Sequence, residues 1–256
     1  MVFKVILFLC LFFLTSTHSV ACNVQQAKEI LANYQWYSED YPPYNYQNKD
    51  GRLVGIFPEI LELIYKEFNL DMNLNDVMIV PWARLFHTLE TSPVHAAFSM
   101  VKSPERNKKF TLISLPIMSK VSIIALEENK NILDHKSIEK LSYAVVRQDI
   151  GEHLLDAKFN VKNKVVTTSA NSMLSMLLYH RVEAIAYSEL VAQFQLSHFG
   201  LEDIKLTSIY TFNDVFESAF VFHKDTPKCF STLFSQTISL LDEKGEINRI
   251  MQKYQY

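Results

Sequence analysis

The sequence contains little glycine and has no excess of basic residues. Only 5 of its 256 residues are glycine, and neither a GxGxxG nor a GxxxxGK[ST] pattern occurs, which disfavours nucleotide binding on a glycine-rich loop. Lysine and arginine total 25 against 28 acidic residues, so the chain lacks the basic field that sequence-independent nucleic-acid binding requires. With 48% apolar and 21% charged residues, the composition is that of an ordinary globular protein.

Patterns that hold metal ions or activate nucleophiles are also missing. The 8 histidines show neither HxxxH nor HExxH spacing, and no GxSxG elbow occurs. We therefore predict no metal site, no cofactor and no nucleophilic hydrolase chemistry.

The first 21 residues have the layout of a cleavable secretory signal. Lys4 precedes an apolar stretch at 5–14, and a small-x-small triplet ends at Ala21. The apolar stretch is too short to cross a bilayer as a helix, which takes about 20 residues. Residues 1–21 are thus predicted to be a signal peptide, and the mature chain is predicted to be exported to the periplasm.

Export would leave two of the 3 cysteines in the mature chain, Cys22 and Cys229. A disulfide between them is favoured because the compartment permits disulfides and because exported cysteines left free would be oxidised. Lipid attachment at Cys22 is the alternative. It is the weaker one, since Ser19 stands where a lipobox prefers an aliphatic residue.

Short β-branched or aromatic runs alternate with helical patterns from Tyr34 onward, which is typical of parallel sheets wrapped by helices. The clearest helices are predicted at 58–68 and 81–90, each with a proline at its first helical position. Further helices are predicted at 150–159, 171–179, 189–198, 228–241 and from Gly245 onward. Buried strands are predicted at 96–100, 121–126, 143–146, 184–187 and 220–223.

No repeat or soft linker divides the chain, although its length is generous for one set of α/β layers. Two lobes without a flexible linker are therefore predicted. The strand-like segments 121–126 and 217–222 are predicted to cross between the lobes as a two-strand hinge.

Five motifs occur in the order and spacing of one protein family. They are SEDYPPY at 38–44, GRLVGIFPE at 51–59, PWAR at 81–84, SPER at 103–106, and HKDTP at 223–227 followed by a tail that contains Lys244, Gly245, Glu246, Ile247, Ile250, Lys253 and Tyr254. With these motifs the chain resembles the family 3 extracellular solute-binding proteins, the receptors of polar amino-acid ABC transporters, over essentially all of its mature length.

The resemblance implies an α/β, two-lobed periplasmic-binding-protein fold with two hinge strands and type II-like topology, closing on a small solute like a flytrap. Lobe 1 would comprise residues 22–119 and 224–256, and lobe 2 residues 120–223. The resemblance also implies a small-molecule ligand, a membrane ABC permease or membrane sensor as partner, a monomeric state and no enzymatic activity.

Arg106 is the strongest candidate for binding the ligand. Ser103 is predicted to cap a helix, which would place Arg106 in the first turn beside free backbone N–H groups that favour an anion. Its guanidinium offers a bidentate fork for a carboxylate. A solvated basic run with Lys102, Lys108 and Lys109 is the competing interpretation, and the resemblance of SPER to the family signature favours carboxylate binding.

Aromatic side chains would form the wall of the cleft. Tyr41 and Tyr44 flank two prolines, whose rigid turn would hold both rings at the end of a strand, although simple turn packing explains either ring equally well. Trp82 lies on the apolar stripe of its helix and is predicted to be core. Arg84 is off that stripe and would face the cleft or pair with an acid such as Glu90.

Lobe 2 departs from the family pattern. Relatives carry a hydroxyl-bearing turn where Gln148, Asp149 and Ile150 stand here, and an ammonium-binding aspartate at the position of Ser188. These departures weigh against an unmodified α-amino acid unless Asp149 or Glu189 supplies the missing charge, and stabilising a helix start explains each acid at least as well. The full predicted ligand set is Arg106, Tyr41, Tyr44, Ser99, Arg84, Asp149, Ile150, Ser188 and Glu189.

Three functions are compatible with these patterns. The leading one is a periplasmic receptor that delivers a small carboxylate-bearing solute, an amino acid or a derivative, to an ABC permease. The second is a sensory receptor that presents its liganded form to a membrane signalling protein. The third and weakest is a cyclohexadienyl dehydratase-like enzyme, whose acid would have to be Asp149, Glu189 or Glu217.

Overall fold

The computed structural model describes residues 23–254. The predicted signal peptide at 1–21 lies outside the described residues, and so does Cys22. Cys229 is partly buried near the start of a C-terminal helix, and its disulfide with Cys22 stays a prediction. None of the helices in the described range combines the length and apolar character needed to pass through a lipid bilayer.

The described chain contains one eight-stranded sheet and a separate two-stranded sheet. The strands are β1 (Gln35–Ser38), β2 (Tyr46–Gln47), β3 (Leu53–Val54), β4 (Met78–Ile79), β5 (His95–Val101), β6 (Phe110–Leu126), β7 (Ser142–Val146), β8 (Asn163–Thr167), β9 (Ala184–Tyr187) and β10 (Leu206–His223). The helices are α1 (Val24–Ala32), α2 (Ile56–Glu67), α3 (Trp82–Thr91), α4 (Pro104–Lys109), α5 (Lys130–Leu133), α6 (Ile150–Lys158), α7 (Ala170–Leu178), α8 (Glu189–His198), α9 (Lys228–Glu243) and α10 (Glu246–Lys253).

The large sheet contains two groups of parallel strands. Its order is β4-β1-β5-β10-β6-β9-β7-β8, where β1 is parallel to β4 and β5 and β7 is parallel to β8 and β9. Between the groups, β10 is antiparallel to both β5 and β6, and β6 is antiparallel to β9. As a result β5 runs in the same direction as β6, whereas β9 runs against it.

This arrangement points the carboxyl ends of the two groups toward each other. The start of β6 lies beside the first group, because residues 110–114 pair with the part of β10 that also pairs with β5. The end of β6 lies beside the second group, because residues 122–124 pair with β9. Ligands of α/β sheets bind outside the carboxyl ends of strands, so the space between the groups is the natural position for a site.

β6 and β10 are shared by both groups. They are 17 and 18 residues long and pair with each other through several register shifts. The predicted crossing segments 121–126 and 217–222 are parts of these two strands. In the structure, residues 122–124 pair with β9 of the second group, and residues 218–222 pair with β5 of the first.

Sequence patterns located most elements to within a few residues, and α8 and β9 have the predicted bounds. The predicted position of the prolines is wrong: Pro58 is the third residue of α2, and Pro81 precedes α3. Proline is tolerated at both positions because the first N–H groups of a helix have no partner within it. The missed helix α1 begins with a capping box between Asn23 and Gln26, a signal that the sequence contains.

Gly151 is the point of closest approach between α6 and β9. A Cβ atom on Gly151 would lie only 2.0 Å from the carbonyl oxygen of Ala186. Because only glycine fits there, the start of α6 can lie directly against the end of β9. This contact fixes the backbone around Asp149, which immediately precedes α6.

We expect Gly151→Ala to destabilise the protein by about 1 to 3 kcal/mol, the usual cost of overpacking. Denaturant unfolding of the ligand-free protein measures this change. Ala157→Ser, at an exposed position of the same helix, should change the stability by less than about 0.5 kcal/mol. Equal stability of Gly151→Ala and the parent would contradict the close packing of α6 on β9.

Candidate functional site

Charged and aromatic side chains from several strand ends meet between the two strand groups. Glu39 and Tyr41 follow β1, Arg106 lies in α4 after β5, Asp149 follows β7, and Tyr187 ends β9. These five residues lie close enough for charge on one to affect the pKa of another. We call them the cleft cluster.

Arg106 is held by backbone carbonyl groups from both sides of the cleft. The residue is only 3% exposed. Its Nη1 donates to the carbonyl of Val101 at 3.0 Å, and its Nη2 donates to the carbonyl of Gln148 at 3.0 Å. The ring of Trp82 lies 5.1 Å from its Cζ. Its Nε has no hydrogen-bond partner among the described residues, which leaves one edge of the guanidinium fork available for a ligand.

Ser103 caps α4 as predicted, since its Oγ accepts a hydrogen bond from the backbone N–H of Arg106 at 3.3 Å. That N–H is therefore satisfied, and the guanidinium is the group left to bind an anion. The competing interpretation, a solvated basic run, does not fit Arg106 because this residue is buried, while Lys108 and Lys109 are exposed.

The YPPY turn brings two tyrosine rings to the first side of the cleft. Tyr41 and Tyr44 stack with ring centroids 5.3 Å apart, and Tyr41 meets Tyr187 edge-on at 5.8 Å. The hydroxyl group of Tyr44 lies 3.4 Å from that of Ser119, which is 3.1 Å from that of Ser218. Tyr41 thus lines the cleft, while Tyr44 connects the turn to β6 and β10.

Two carboxyl groups share the cleft cluster with the single guanidinium. Asp149 caps α6, because its Oδ1 accepts a hydrogen bond from the N–H of Gly151 at 2.9 Å. Burial raises the pKa of Asp149, and the charge of Arg106 offsets part of this rise. Burial also raises the pKa of Glu39 well above its usual range, and the negative charges of Asp149 and Asp40 raise it further. The cluster therefore disfavours two ionised carboxylates in the ligand-free protein.

A cavity of about 220 Å³ opens beside Glu39. Its first side consists of Glu39, Asp40 and residues 79–81, which lead into α3, and its second side consists of residues 169–171 at the start of α7. This volume suits a solute smaller than a typical drug. A cavity of about 400 Å³ lies beside Leu126 at the end of β6, and its lining includes no residue of the cleft cluster.

Side chains of α8 contact the first group across the cleft. The Nε2 of Gln195 donates to the carbonyl of Asp40 at 3.3 Å. The ring of Tyr46 packs against Phe194 and His198, with centroid distances of 5.7 and 5.5 Å. The hydrogen bond from Arg106 to the carbonyl of Gln148 also crosses the cleft. These contacts join its two sides, so the cleft is closed.

The remaining predicted ligand residues have other local roles. Ser99 is 6% exposed and has a φ of 61°, and its hydroxyl donates to the carbonyl of Phe98 at 2.7 Å. Ile150 is buried in the core of the second group. The Oγ of Ser188 caps α8 by accepting a hydrogen bond from the N–H of Val191.

Arg84 and Glu189 lie outside the cleft cluster, and both are exposed. Glu189 accepts a hydrogen bond from the hydroxyl of Ser208. Glu90, which the sequence suggested as a partner for Arg84, pairs instead with Lys109 at 2.8 Å. As an acid in the first turn of α8, Glu189 fits the alternative role of stabilising a helix start.

Sequence reasoning did not identify Glu39, Tyr187 or Gln195 as site residues. The signal for Glu39 and Tyr187 is their position at the carboxyl ends of parallel strands, where α/β proteins place their sites. Gln195 gives no comparable signal, because its role depends on which surfaces meet when the cleft closes.

The pH dependence of stability should report the raised pKa of Glu39. Because its pKa is raised in the folded protein, the folded state holds a proton that the unfolded chain releases near pH 4. The contribution of Glu39 to the free energy of unfolding is therefore fully present below about pH 4. It is lost as the pH rises through the raised pKa of this residue.

We expect Glu39→Gln to be more thermally stable than the parent at pH 8, with the difference shrinking toward pH 4. Differential scanning calorimetry of the ligand-free protein measures this trend. Asp50→Asn, at an exposed turn, serves as the control and should follow the parent. A Glu39→Gln curve parallel to that of the parent would show that the pKa of Glu39 is not raised in the folded protein.

Residues 36–256 match the sequence profile of the bacterial extracellular solute-binding proteins, family 3. No curated protein matches the chain. Among solved structures, the arginine-, lysine-, histidine-binding protein ArtJ from Geobacillus stearothermophilus is similar in fold. It has 16% identity and a TM-score of 0.73, over 86% of this chain and 94% of that one.

Two further solved structures of similar fold are a sensor domain and an ancestral binding protein. A histidine kinase sensor domain with similarity to periplasmic binding proteins has 15% identity and a TM-score of 0.72, over 86% of this chain and 95% of that one. The ancestral amino acid-binding protein AncCDT-1, a precursor of cyclohexadienyl dehydratase, has 16% identity and a TM-score of 0.70, over 89% and 98%. These likenesses confirm the predicted two-lobed periplasmic-binding-protein fold. The chain belongs to family 3 of the bacterial extracellular solute-binding proteins.

Proposed function

We propose that this protein is a periplasmic receptor that captures a small carboxylate-bearing solute, an amino acid or a derivative, and presents it to a membrane ABC permease. The first strand group belongs to lobe 1 and the second to lobe 2, with the solute held between them. The observation that carries this proposal is the buried guanidinium of Arg106, whose Nε has no partner among the described residues.

A buried N–H group without an acceptor is costly, and a ligand carboxylate would supply an acceptor for the Nε of Arg106. Two of the five N–H donors of Arg106 are used by the carbonyl groups of Val101 and Gln148. These bonds hold the side chain in place, so a ligand carboxylate meets a guanidinium that is already oriented. The ring of Trp82 supplies an aromatic surface 5.1 Å from the Cζ of Arg106.

Closure is the event that a membrane partner would recognise. Gln148 belongs to lobe 2, and so do Phe194 and Gln195, which contact lobe 1 through Tyr46 and Asp40. A solute that binds both lobes favours the form in which these contacts are made. The liganded receptor then differs from the open one in shape.

A sensory role is the second candidate. The fold is shared with a histidine kinase sensor domain, and the same closure would serve to signal as well as to transport. The enzyme alternative has less support, because Glu189 bonds to Ser208 and Glu217 pairs with Lys102 at 3.6 Å. Of the three candidate acids, Asp149 alone belongs to the cleft cluster.

Arg106→Ala should weaken solute binding by about 100-fold, since it removes a buried charge-assisted pair. A thermal-shift screen of the common amino acids on the parent identifies the strongest ligand, and calorimetric titration then compares the variants. Lys108→Ala, at an exposed position of the same helix, should bind like the parent. Unchanged affinity in Arg106→Ala would refute the assignment of the carboxylate site.

Phe194→Ala should shift the receptor toward the open form, because it removes an aromatic contact between the lobes. An aromatic pair contributes about 0.5 to 1.5 kcal/mol, so the affinity should fall by about 2- to 10-fold. Small-angle scattering of the ligand-free variant should show a larger radius of gyration. Tyr179→Ala removes a ring that is 74% exposed in lobe 2 and should leave both quantities unchanged. If Phe194→Ala behaves like this control, α8 does not hold the cleft closed.

A further inference from the structure

We propose that Glu152 is a positioning residue for closure of the cleft. Its carboxylate holds the turn at 147–149 in the shape that presents the carbonyl of Gln148 to Arg106. This inference deepens the proposed function and rests on it, because it concerns how the two lobes close around a solute.

The carbonyl of Gln148 is the lobe 2 end of a direct hydrogen bond between the lobes. It accepts from the Nη2 of Arg106 at 3.0 Å. On its own side, Arg106 is fixed by a second hydrogen bond, from its Nη1 to the carbonyl of Val101 at 3.0 Å. Because a hydrogen bond weakens steeply as its geometry departs from the preferred one, the bond across the cleft requires the backbone of Gln148 to keep one orientation.

Glutamine does not adopt this backbone orientation readily. Gln148 has a φ of 60°, which lies in the left-handed region that residues other than glycine rarely occupy. Such a conformation persists only when the surrounding structure holds it. The turn therefore needs a contact that stabilises it.

The side chain of Glu152 makes that contact. Its Oε2 accepts a hydrogen bond from the backbone N–H of Gln148 at 2.7 Å, and hydrogen bonds to a carboxylate belong to the strong class. The N–H groups of the two neighbouring residues, Arg147 and Asp149, donate to backbone carbonyl groups instead, at 2.9 and 3.0 Å. The position of Gln148 thus depends on the side chain of Glu152, whereas main-chain bonds hold its neighbours.

Glu152 is itself restrained. Its side chain is 16% exposed, and its Oε1 lies 3.6 Å from the Nζ of Lys164. Lys164 lies on β8, which pairs with β7, the strand that leads into the turn. The lysine holds one oxygen of the carboxylate, and the other oxygen reaches Gln148. A change at Glu152 therefore acts on closure through the turn, without a contact to the solute.

Removing this carboxylate should weaken the closed form whatever solute occupies the cleft. Glu152→Ala should lower the affinity for every solute that binds by the same factor, about 3- to 10-fold, because a hydrogen bond of the closed form is lost. Calorimetric titration with L-glutamine, L-glutamate and L-arginine, a neutral, an acidic and a basic amino acid, measures this factor. Small-angle scattering of the ligand-free variant should show a larger radius of gyration than that of the parent.

Two further variants separate positioning from other roles of Glu152. Glu152→Gln keeps an oxygen that can accept from Gln148 and should bind within about twofold of the parent. Asp156→Ala removes the other carboxylate that Lys164 contacts, at 2.6 Å on an exposed position of the same helix, and should bind like the parent. Amide exchange measured by NMR should be faster at Gln148 in Glu152→Ala and unchanged in Asp156→Ala.

An acid in the first turn of α6 would also stabilise the start of that helix. If this were the only role of Glu152, Glu152→Ala would lower the melting temperature and leave the affinities and the radius of gyration unchanged. That result would overturn the inference. A loss of affinity for only one of the three amino acids would overturn it as well, because Glu152 would then act on the solute.

These outcomes differ from failure of the proposed function. If Arg106→Ala lowers the affinity and Glu152→Ala does not, the receptor assignment stands and the positioning role is overturned. If none of the three amino acids binds the parent, their capture is refuted, and scattering decides the inference. A radius of gyration of Glu152→Ala equal to that of the parent would then overturn the positioning role, and a larger one would support it.

Discussion

The guanidinium of Arg106 is the group on which the arrangement of the cleft depends. It is almost fully buried and donates to one backbone carbonyl from each lobe. A charged side chain can occupy such a position only when its hydrogen bonds are made. Because the acceptors are main-chain groups, they orient the guanidinium without neutralising it. The negative charges of Asp149 and Glu39 act on the guanidinium from the same cluster.

The strand topology explains why these groups meet. The two groups of parallel strands run in opposite directions along the shared strands, so their carboxyl ends face each other. Arg106 follows a strand of one lobe, and Asp149 follows a strand of the other. Helix caps at Ser103, Asp149 and Ser188 stand at the same boundary. A single loop could not assemble this cluster, because its members come from four different strand ends.

The sequence was sufficient for the fold, and its motifs led to the proposed anchor of the site. Alternating patterns gave most helices and strands, and ordered motifs pointed to Arg106 and to the YPPY turn. The carboxyl group of Glu39 was not identified as part of the site, although it lies inside a motif, because its environment is created by residues far away in sequence. Ser99, Ile150 and Ser188 stay predictions as ligand residues. The local hydrogen bonds and core packing of their side chains depend on neighbours that the motifs do not specify.

The pairing of β6 with β10 also limits how the protein can move. Both strands continue from one lobe into the other, and their pairing is interrupted by register shifts, including one between Thr211 and Val215. Such irregularities bend and twist a strand pair locally. We expect the lobes to open by rotating about an axis that crosses the β6–β10 strand pair. Sliding of one lobe past the other would instead break the hydrogen bonds between these two strands. Opening would therefore change the angle between the lobes more than the distance between them along the shared strands.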